Sequence, residues 1–238
     1  MYIKKPINVN TLFLTWHPRG DSSRRYNVAT LIRKEDDNVE FLYNKGSTDF
    51  EDAINAGFTG YTAFPIHDQD VYDHTVMSMF MNRTPPRSRG DFKKYLMSHQ
   101  VDPEFNGDGF QMICHTGVGL PNDDFNVIPD LSQAERPFEY RLEVAGTRHV
   151  IRSGEGITRE ELREIELETE ATFEFEPNNV ADSNAIAILV NNKKVGYVNR
   201  ILCSAIKQFI DEDRITAKIV RVSGTEERPI IYILIFVN

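Results

Sequence analysis

Residues 184–199, NAIAILVNNKKVGYVN, constrain the fold more than any other stretch of this chain. Two runs rich in β-branched and apolar residues flank Asn191–Asn192, a pair that tolerates positive φ at both central positions of a tight hairpin turn. A strand pair of this kind cannot stand alone in water. It needs further strands or a helix against its apolar face. The surrounding sequence supplies both. FEYRLEVAGTRHVI (138–151) alternates apolar and polar positions and is expected as one strand. EATFEFEP (170–177) alternates too, with Phe173 and Phe175 on one face, and RITAKIVRV (214–222) and PIIYILIFV (229–237) add two more strands. RILCSAIKQFIDED places Ile201, Ala205, Ile206, Phe209 and Ile210 at helical spacing. Six strands and one helix in about a hundred residues predict a small closed or nearly closed barrel. GITREELREIELETE (156–170) offers Thr158 as N-cap and Glu161 as its capping-box partner, a short helix with a solvated charged face inserted between barrel strands.

The period differs upstream. TLFLTW (11–16), RRYNVATLIR (24–33) and DNVEFLYN (37–44) read as short strands, with turn residues in RKEDDN. DFEDAINAGF then starts a helix, with Asp49 as the candidate N-cap and Gly57 as its stop. HTVMSMFMNR sets Val76, Met79 and Phe80 on one face, and DFKKYLMSH does the same with Phe92, Tyr95 and Leu96. DGFQMICHTGVG is another helix ending at Gly117, and FNVIP (125–129) is a short strand. Between the two textures lies PDLSQAERP, polar with a proline at each end. The expectation is α+β: an N-terminal α+β domain over residues 1–130, a linker over 131–137, and a small SH3/OB-like β-barrel with one helix over 138–238.

Composition narrows the function. The chain has 238 residues and a formal net charge of −9, which argues against a non-specific duplex-DNA binder with a broad basic face. A small site remains possible, because screening over roughly 8 Å isolates a few local donors from distant acids. No apolar run approaches the roughly 20 residues of a membrane span, so no membrane partner is expected. Cys114 and Cys203 have no metal-ligand spacing, so a reduced, cytoplasmic setting without a disulfide is expected.

The stretch EPNNVADSNAIAILVNNKKVGYVNR (176–200), preceded by VAGTRHV, closely resembles the HIRAN domain family. The shared pattern is an acid and proline, an asparagine-rich turn, an aspartate, Asn-Ala and an apolar strand, then a Gly-aromatic strand and a basic residue at a helix start. The resemblance spans residues 138–238 and implies a small SH3- or OB-like barrel, of a kind found with helicases and nucleases. The best understood members bind the 3′ end of single-stranded DNA. The resemblance implies that Asp182 accepts from a terminal hydroxyl. Arg148 and His149 would be a basic-aromatic pair in the first strand. Tyr197 and Arg200 would face them, and Asn178 and Asn184 would shape the loop or donate to the nucleotide. This chemistry suits a strand end: a carboxylate for the hydroxyl, a ring for the base, arginines for phosphates. The asparagines serve equally as turn residues, Asp182 as a cap of its own loop, and Tyr197 as barrel packing. Ala181 stands where the DNA-end-binding members carry an aromatic, which removes one wall of a base sandwich.

The N-terminal region resembles the N-terminal subdomain of HipA-like serine/threonine kinases, through FMNRTP (80–85) and the FQMICHTG helix. That subdomain also occurs as a separate protein that neutralises its kinase. The kinase core has no counterpart here: no Gly-rich loop followed by a lysine strand, no His-Arg-Asp and no Asp-Phe-Gly. Arg83, Arg87 and Arg89 lie within seven positions and are candidate contacts to a protein partner or a phosphate, or else a solvated loop. His67, Asp68, Asp70, Asp73 and His74 have ligand chemistry without a register that would preform a metal site. Cys114 and His115 are helix neighbours whose side chains diverge, so they form no catalytic dyad. The expectation is a bacterial or phage-type protein without catalysis, metal or cofactor. It is a DNA-binding adaptor whose barrel engages single-stranded DNA 3′ ends or damaged DNA, and whose N-terminal module contacts a protein partner, a HipA-like kinase or a helicase or nuclease. The alternative is an antitoxin-like regulator of a HipA-like kinase, and a third reading is a nucleic-acid-processing enzyme.

Overall fold

The computed structural model describes residues 1–18, 24–66, 71–120 and 123–238. The fold is mixed α+β and divides into two compact units, Ile7–Ala134 and a second made of Met1–Pro6 with Glu135–Asn238.

The first unit is built on a five-stranded antiparallel sheet. Its strands are β1 (Thr11–Trp16), β2 (Tyr26–Arg33), β3 (Val39–Tyr43), β4 (Val71–Tyr72) and β5 (Phe125–Pro129), in the order β4-β3-β2-β1-β5. Helices α1 (Thr48–Asn55), α2 (Val76–Met81), α3 (Phe92–Ser98) and α4 (Gly109–Thr116) lie between β3 and β5. The N-cap of α1 is Ser47, whose side chain accepts from Phe50 N, rather than Asp49. Asp49 is drawn away because its Oδ2 accepts from Asn27 N on β2 at 3.0 Å. The helices end as their residues dictate: Gly117 closes α4 at φ 66°, a left-handed conformation that costs glycine little. The core of this unit is aromatic. Tyr61 stacks on Phe80 at 5.4 Å with nearly parallel rings, and Phe41 packs on Phe64 at 4.8 Å.

The second unit is a curled antiparallel sheet of six strands. They are β6 (Phe138–Glu143), β7 (Glu170–Phe175), β8 (Ile186–Val190), β9 (Lys193–Tyr197), β10 (Ile215–Gly224) and β11 (Pro229–Val237), in the order β6-β11-β10-β7-β8-β9. The curl brings the two ends of that order together. Just beyond β6, Ala145 exchanges both backbone hydrogen bonds with Tyr197 on β9, at 2.8 and 2.7 Å. The result is a nearly closed half-barrel, in which pairing the last edge removes much of the unpaired backbone an open sheet would expose. Its interior is filled by Ile186, Ile188, Val195, Ile219, Ile231, Ile233 and Ile235, all fully buried. Helix α7 (Cys203–Asp211) adds Ile206 and Phe209 to this core, with the Phe209 ring 5.8 Å from that of Phe138. The β8–β9 hairpin turns through Asn191 and Asn192, both at positive φ.

Two local expectations change. The strand expected over 138–151 stops at Glu143, and residues 147–153 form helix α5 (Thr147–Ser153). The break falls at Gly146, whose φ of 73° cannot continue an extended strand, and α5 then buries Thr147 and Val150. Phe173 and Phe175 share one face of β7, as alternate residues of a strand do, but neither is fully buried. Ala171 is the buried residue of β7, and Phe175 is 38% exposed, with the Lys207 ammonium 4.4 Å above its ring. The helix expected from Arg200 begins as a 3-10 turn, Arg200–Leu202, with α7 following at Cys203. Helix α6 (Arg159–Arg163) forms with the full capping box of Thr158 and Glu161.

Candidate nucleic-acid interface

The β7–β8 loop, residues 176–185, carries the asparagines and Asp182. Its base is closed by a hydrogen bond from Glu176 N to Ala185 O at 2.9 Å. Its interior is organised by Asn179, whose Oδ1 accepts from Ala181 N at 3.0 Å and from Asp182 N at 3.2 Å. Asp182 Oδ1 accepts from Asn184 N at 2.9 Å. These are Asx-type turns, in which a short polar side chain stands in for a backbone carbonyl. Asp182 therefore does cap its own loop. An ionised carboxylate has roughly four acceptor sites, so this bond leaves capacity for a ligand hydroxyl. Asn178 and Asn184 are exposed and Asp182 is half-buried.

Tyr197 sits at the end of β9, paired with Ala187 of β8. Its hydroxyl donates to Glu176 Oε2 at 3.3 Å and accepts from Lys194 Nζ at 3.1 Å. The Lys194 ammonium also forms an ion pair with Glu176 and lies 5.1 Å from the Tyr197 ring centre. Asn179 Nδ2 donates to the same carboxylate at 2.9 Å. Burial alone would push the Glu176 carboxyl up, but the contacts from Lys194, Asn179 and Tyr197 outweigh it and hold it below the ordinary range. Burial likewise opposes the Lys194 charge, yet Glu176 and Tyr197 raise its pKa.

The first turn of α5 approaches the same strand end. Gly146 lies against the Tyr197 ring, since a Cβ there would meet Tyr197 Cδ2 at 3.3 Å. Arg148 and His149 follow directly, the first half-buried and the second exposed. They reach this place from a helix, not from the strand the sequence predicted. Arg200, exposed, opens the 3-10 turn three residues past Tyr197, and Asn199 Oδ1 caps that turn through Ile201 N at 3.1 Å. Cys203, which follows this turn, is buried near both Asp182 and Arg200. Burial and then the Asp182 charge push its thiol up to about 11, against smaller opposing effects of a backbone hydrogen bond and Arg200. Cys203 and Cys114 are both free and buried. Arg148, His149, Tyr197 and Arg200 thus flank one end of the β8–β9 pair, the end from which the Asp182 loop leaves. Asn179 serves as the turn residue the sequence suggested, whereas the sequence assigned Glu176 and Lys194 no role. The available signal was Asn179 two and three residues before the backbone amides it captures; nothing local announced Lys194.

Arg83, Arg87 and Arg89 have partners within the first unit. Arg83 Nε donates to Val118 O at 3.0 Å and its guanidinium pairs with Asp123. Both side chains are 14% exposed. Arg87 donates to Phe105 O and Gly107 O, and Arg89 pairs with Asp91 at 2.7 Å. Of the His/Asp run, His67, Asp68 and Asp70 lie outside the described residues. Among the described residues no group of three or more His, Cys, Asp or Glu side chains could hold a metal ion, and no helix is long and apolar enough to cross a membrane.

The second unit is thus a curled antiparallel half-barrel with an Asx-locked loop, an aromatic strand end and basic residues on two flanking elements. Residues 137–237 match the HIRAN domain family, so the second unit carries HIRAN-domain homology. That match begins at residue 137 and gives no support to the HipA-like resemblance of the first 130 residues. The HIRAN domain of human HLTF is similar at 20% identity with a TM-score of 0.32, over 42% of this chain and 74% of that one. A protein from Lactobacillus plantarum is similar at 16% identity with a TM-score of 0.33, over 41% of this chain and 92% of that one. No curated protein matches.

Proposed function

We propose that the second unit binds the 3′-hydroxyl end of single-stranded DNA and that the protein acts as a non-catalytic adaptor for such ends. HIRAN homology over residues 137–237 is consistent with a nucleic-acid-binding or adaptor role in general. The observation that carries the finer reading is the locked loop: Asn179 accepts from both Ala181 N and Asp182 N, which fixes where the Asp182 carboxylate stands relative to Tyr197. A preorganised acceptor beside an aromatic strand end, with Arg148 and Arg200 nearby, fits a terminal hydroxyl, its base and the phosphates behind it.

The test compares oligonucleotides ending in 3′-hydroxyl and 3′-phosphate with a circular single strand. A 3′-phosphate faces the Asp182 carboxylate, and the lost charged hydrogen bond is expected to weaken binding by about 1–3 kcal/mol. Asp182→Ala should abolish the difference between the two ends. Arg148→Ala should weaken binding to every sequence alike and reduce the salt slope by about one. Equal binding of circular and linear strands would overturn the end-binding reading.

A further inference from the structure

The end-binding reading needs two things held still: the Asp182 loop and the Tyr197 ring. One ion pair serves both. Glu176 lies just past β7 and Lys194 within β9, and their side chains are only 22% and 19% exposed. From the ammonium of Lys194 a continuous set of contacts runs through the Glu176 carboxylate to Asn179 Nδ2. Asn179 Oδ1 then holds the amides of Ala181 and Asp182. The same two charges hold the Tyr197 hydroxyl from either side.

We propose that Glu176 and Lys194 are a positioning pair that sets the discrimination between strand-end chemistries, without either one touching the DNA. The inference rests on the end-binding reading, and it adds residues that act through Asn179 and Tyr197. The pair is well placed for this. A half-buried ion pair is screened less than a surface one, and removing one member leaves the other charged and uncompensated. Glu176 has a further role that no neutral residue fills equally: its two oxygens accept from Lys194, Asn179 and Tyr197 together. No other residue of the loop is tied to both β9 side chains in this way by the contacts described above.

The experiment uses the full chain and the variants Glu176→Gln, Lys194→Met and Lys194→Arg. In the free protein, amide hydrogen exchange at Ala181 and Asp182 is expected to speed up in Glu176→Gln and Lys194→Met, while the β10–β11 amides stay protected. Lys194→Arg should restore slow exchange. In binding, the ratio of affinities for 3′-hydroxyl and 3′-phosphate oligonucleotides should fall about tenfold in the first two variants, the scale of one charged hydrogen bond. It should recover in Lys194→Arg. The salt slope should stay at its wild-type value in Lys194→Met, whereas a direct phosphate contact would lower it by about one. A lowered slope, or unchanged exchange at Ala181 and Asp182, would overturn the positioning role. Wild-type protein that binds no strand end would instead overturn the end-binding reading and its discrimination, whatever the exchange shows.

Discussion

At the scale of single residues, the half-barrel closes because one position lacks a side chain. Gly196 sits within β9 at φ 154°, next to the bridge between Ala145 and Tyr197. A Cβ there would stand 2.4 Å from Ala145 O and 2.5 Å from Val144 Cγ1. Both neighbours belong to the segment that seals the sheet, so neither can yield without opening the bridge. Gly196→Ala is therefore expected to destabilise the second unit by about 1–3 kcal/mol through overpacking. It should also move Gly146 and the first turn of α5 away from Tyr197. Urea denaturation measures the first effect, and an unchanged midpoint would contradict it. The asparagines teach a related point. Asn178, Asn179 and Asn184 look alike in sequence, but Asn179 alone accepts from two loop amides while donating to Glu176.

At the scale of elements, the informative one is the α5–α6 insertion. Residues 154–163 do not simply project from the barrel. Ile157 N donates to Lys194 O at 2.9 Å, and a Cβ on Gly156 would meet that same carbonyl, so the insertion lies along the outer edge of β9. Ile157 and Leu162 are buried by it. Edge strands left uncovered invite pairing with other chains, and this strap covers the edge of β9 at Lys194, with Glu161 paired to Lys193. Its helix α6 has only five residues, too few to persist without tertiary contacts and caps. Thr158 Oγ1 accepts from Glu161 N at 3.2 Å, and Glu161 Oε2 accepts from Thr158 N at 3.1 Å. Thr158→Ala is expected to cost about 1 kcal/mol and to open residues 154–163 to protease before any strand is cut. Mass mapping of the first cleavage site checks this. First cleavage inside β10 or β11 would count against it.

At the scale of the whole molecule, the first six residues belong with the last hundred. Lys4 N donates to Glu139 Oε2 at 2.6 Å, and Glu139 N donates to Lys5 O at 2.7 Å. Glu139 is 7% exposed, so this carboxylate depends on the N-terminal segment for its partner. Deleting residues 1–6 leaves it buried and short of a donor, a cost of about 1–3 kcal/mol. The loss should fall on the second unit, although the deletion is at the other end of the chain. Hydrogen exchange should show faster opening of β6 and β11 with the β1–β2 amides unchanged. Equal loosening of both sheets would refute the assignment. We propose further that the two units fold independently, with the polar stretch 131–137, which straddles their boundary at Ala134 and Glu135, as the first point of proteolytic attack in the wild-type chain outside the strap.

The sequence alone determined most elements and several of their ends. Period-2 alternation marked β7, β-branched and apolar runs marked β8, β10 and β11, Asn191–Asn192 marked the hairpin, and Thr158 with Glu161 marked α6, because each signal is local and is read within a few residues. It also brought forward Asp182, Tyr197 and Arg200 through the motif they share. What the tertiary structure decided was everything that depends on who lies opposite. Residues 147–151 fall within the stretch read as a strand yet form part of α5, because closing the barrel at Ala145 and Tyr197 requires the chain to turn at Gly146. Asp49 has N-cap chemistry, but a backbone amide of β2 claims its carboxylate and Ser47 caps α1 instead. Glu176 and Lys194 are eighteen positions apart by their numbers, and Lys4 and Glu139 are 135 apart. Pairings over such separations leave no periodicity in the chain, and only the folded sheet brings their charges together.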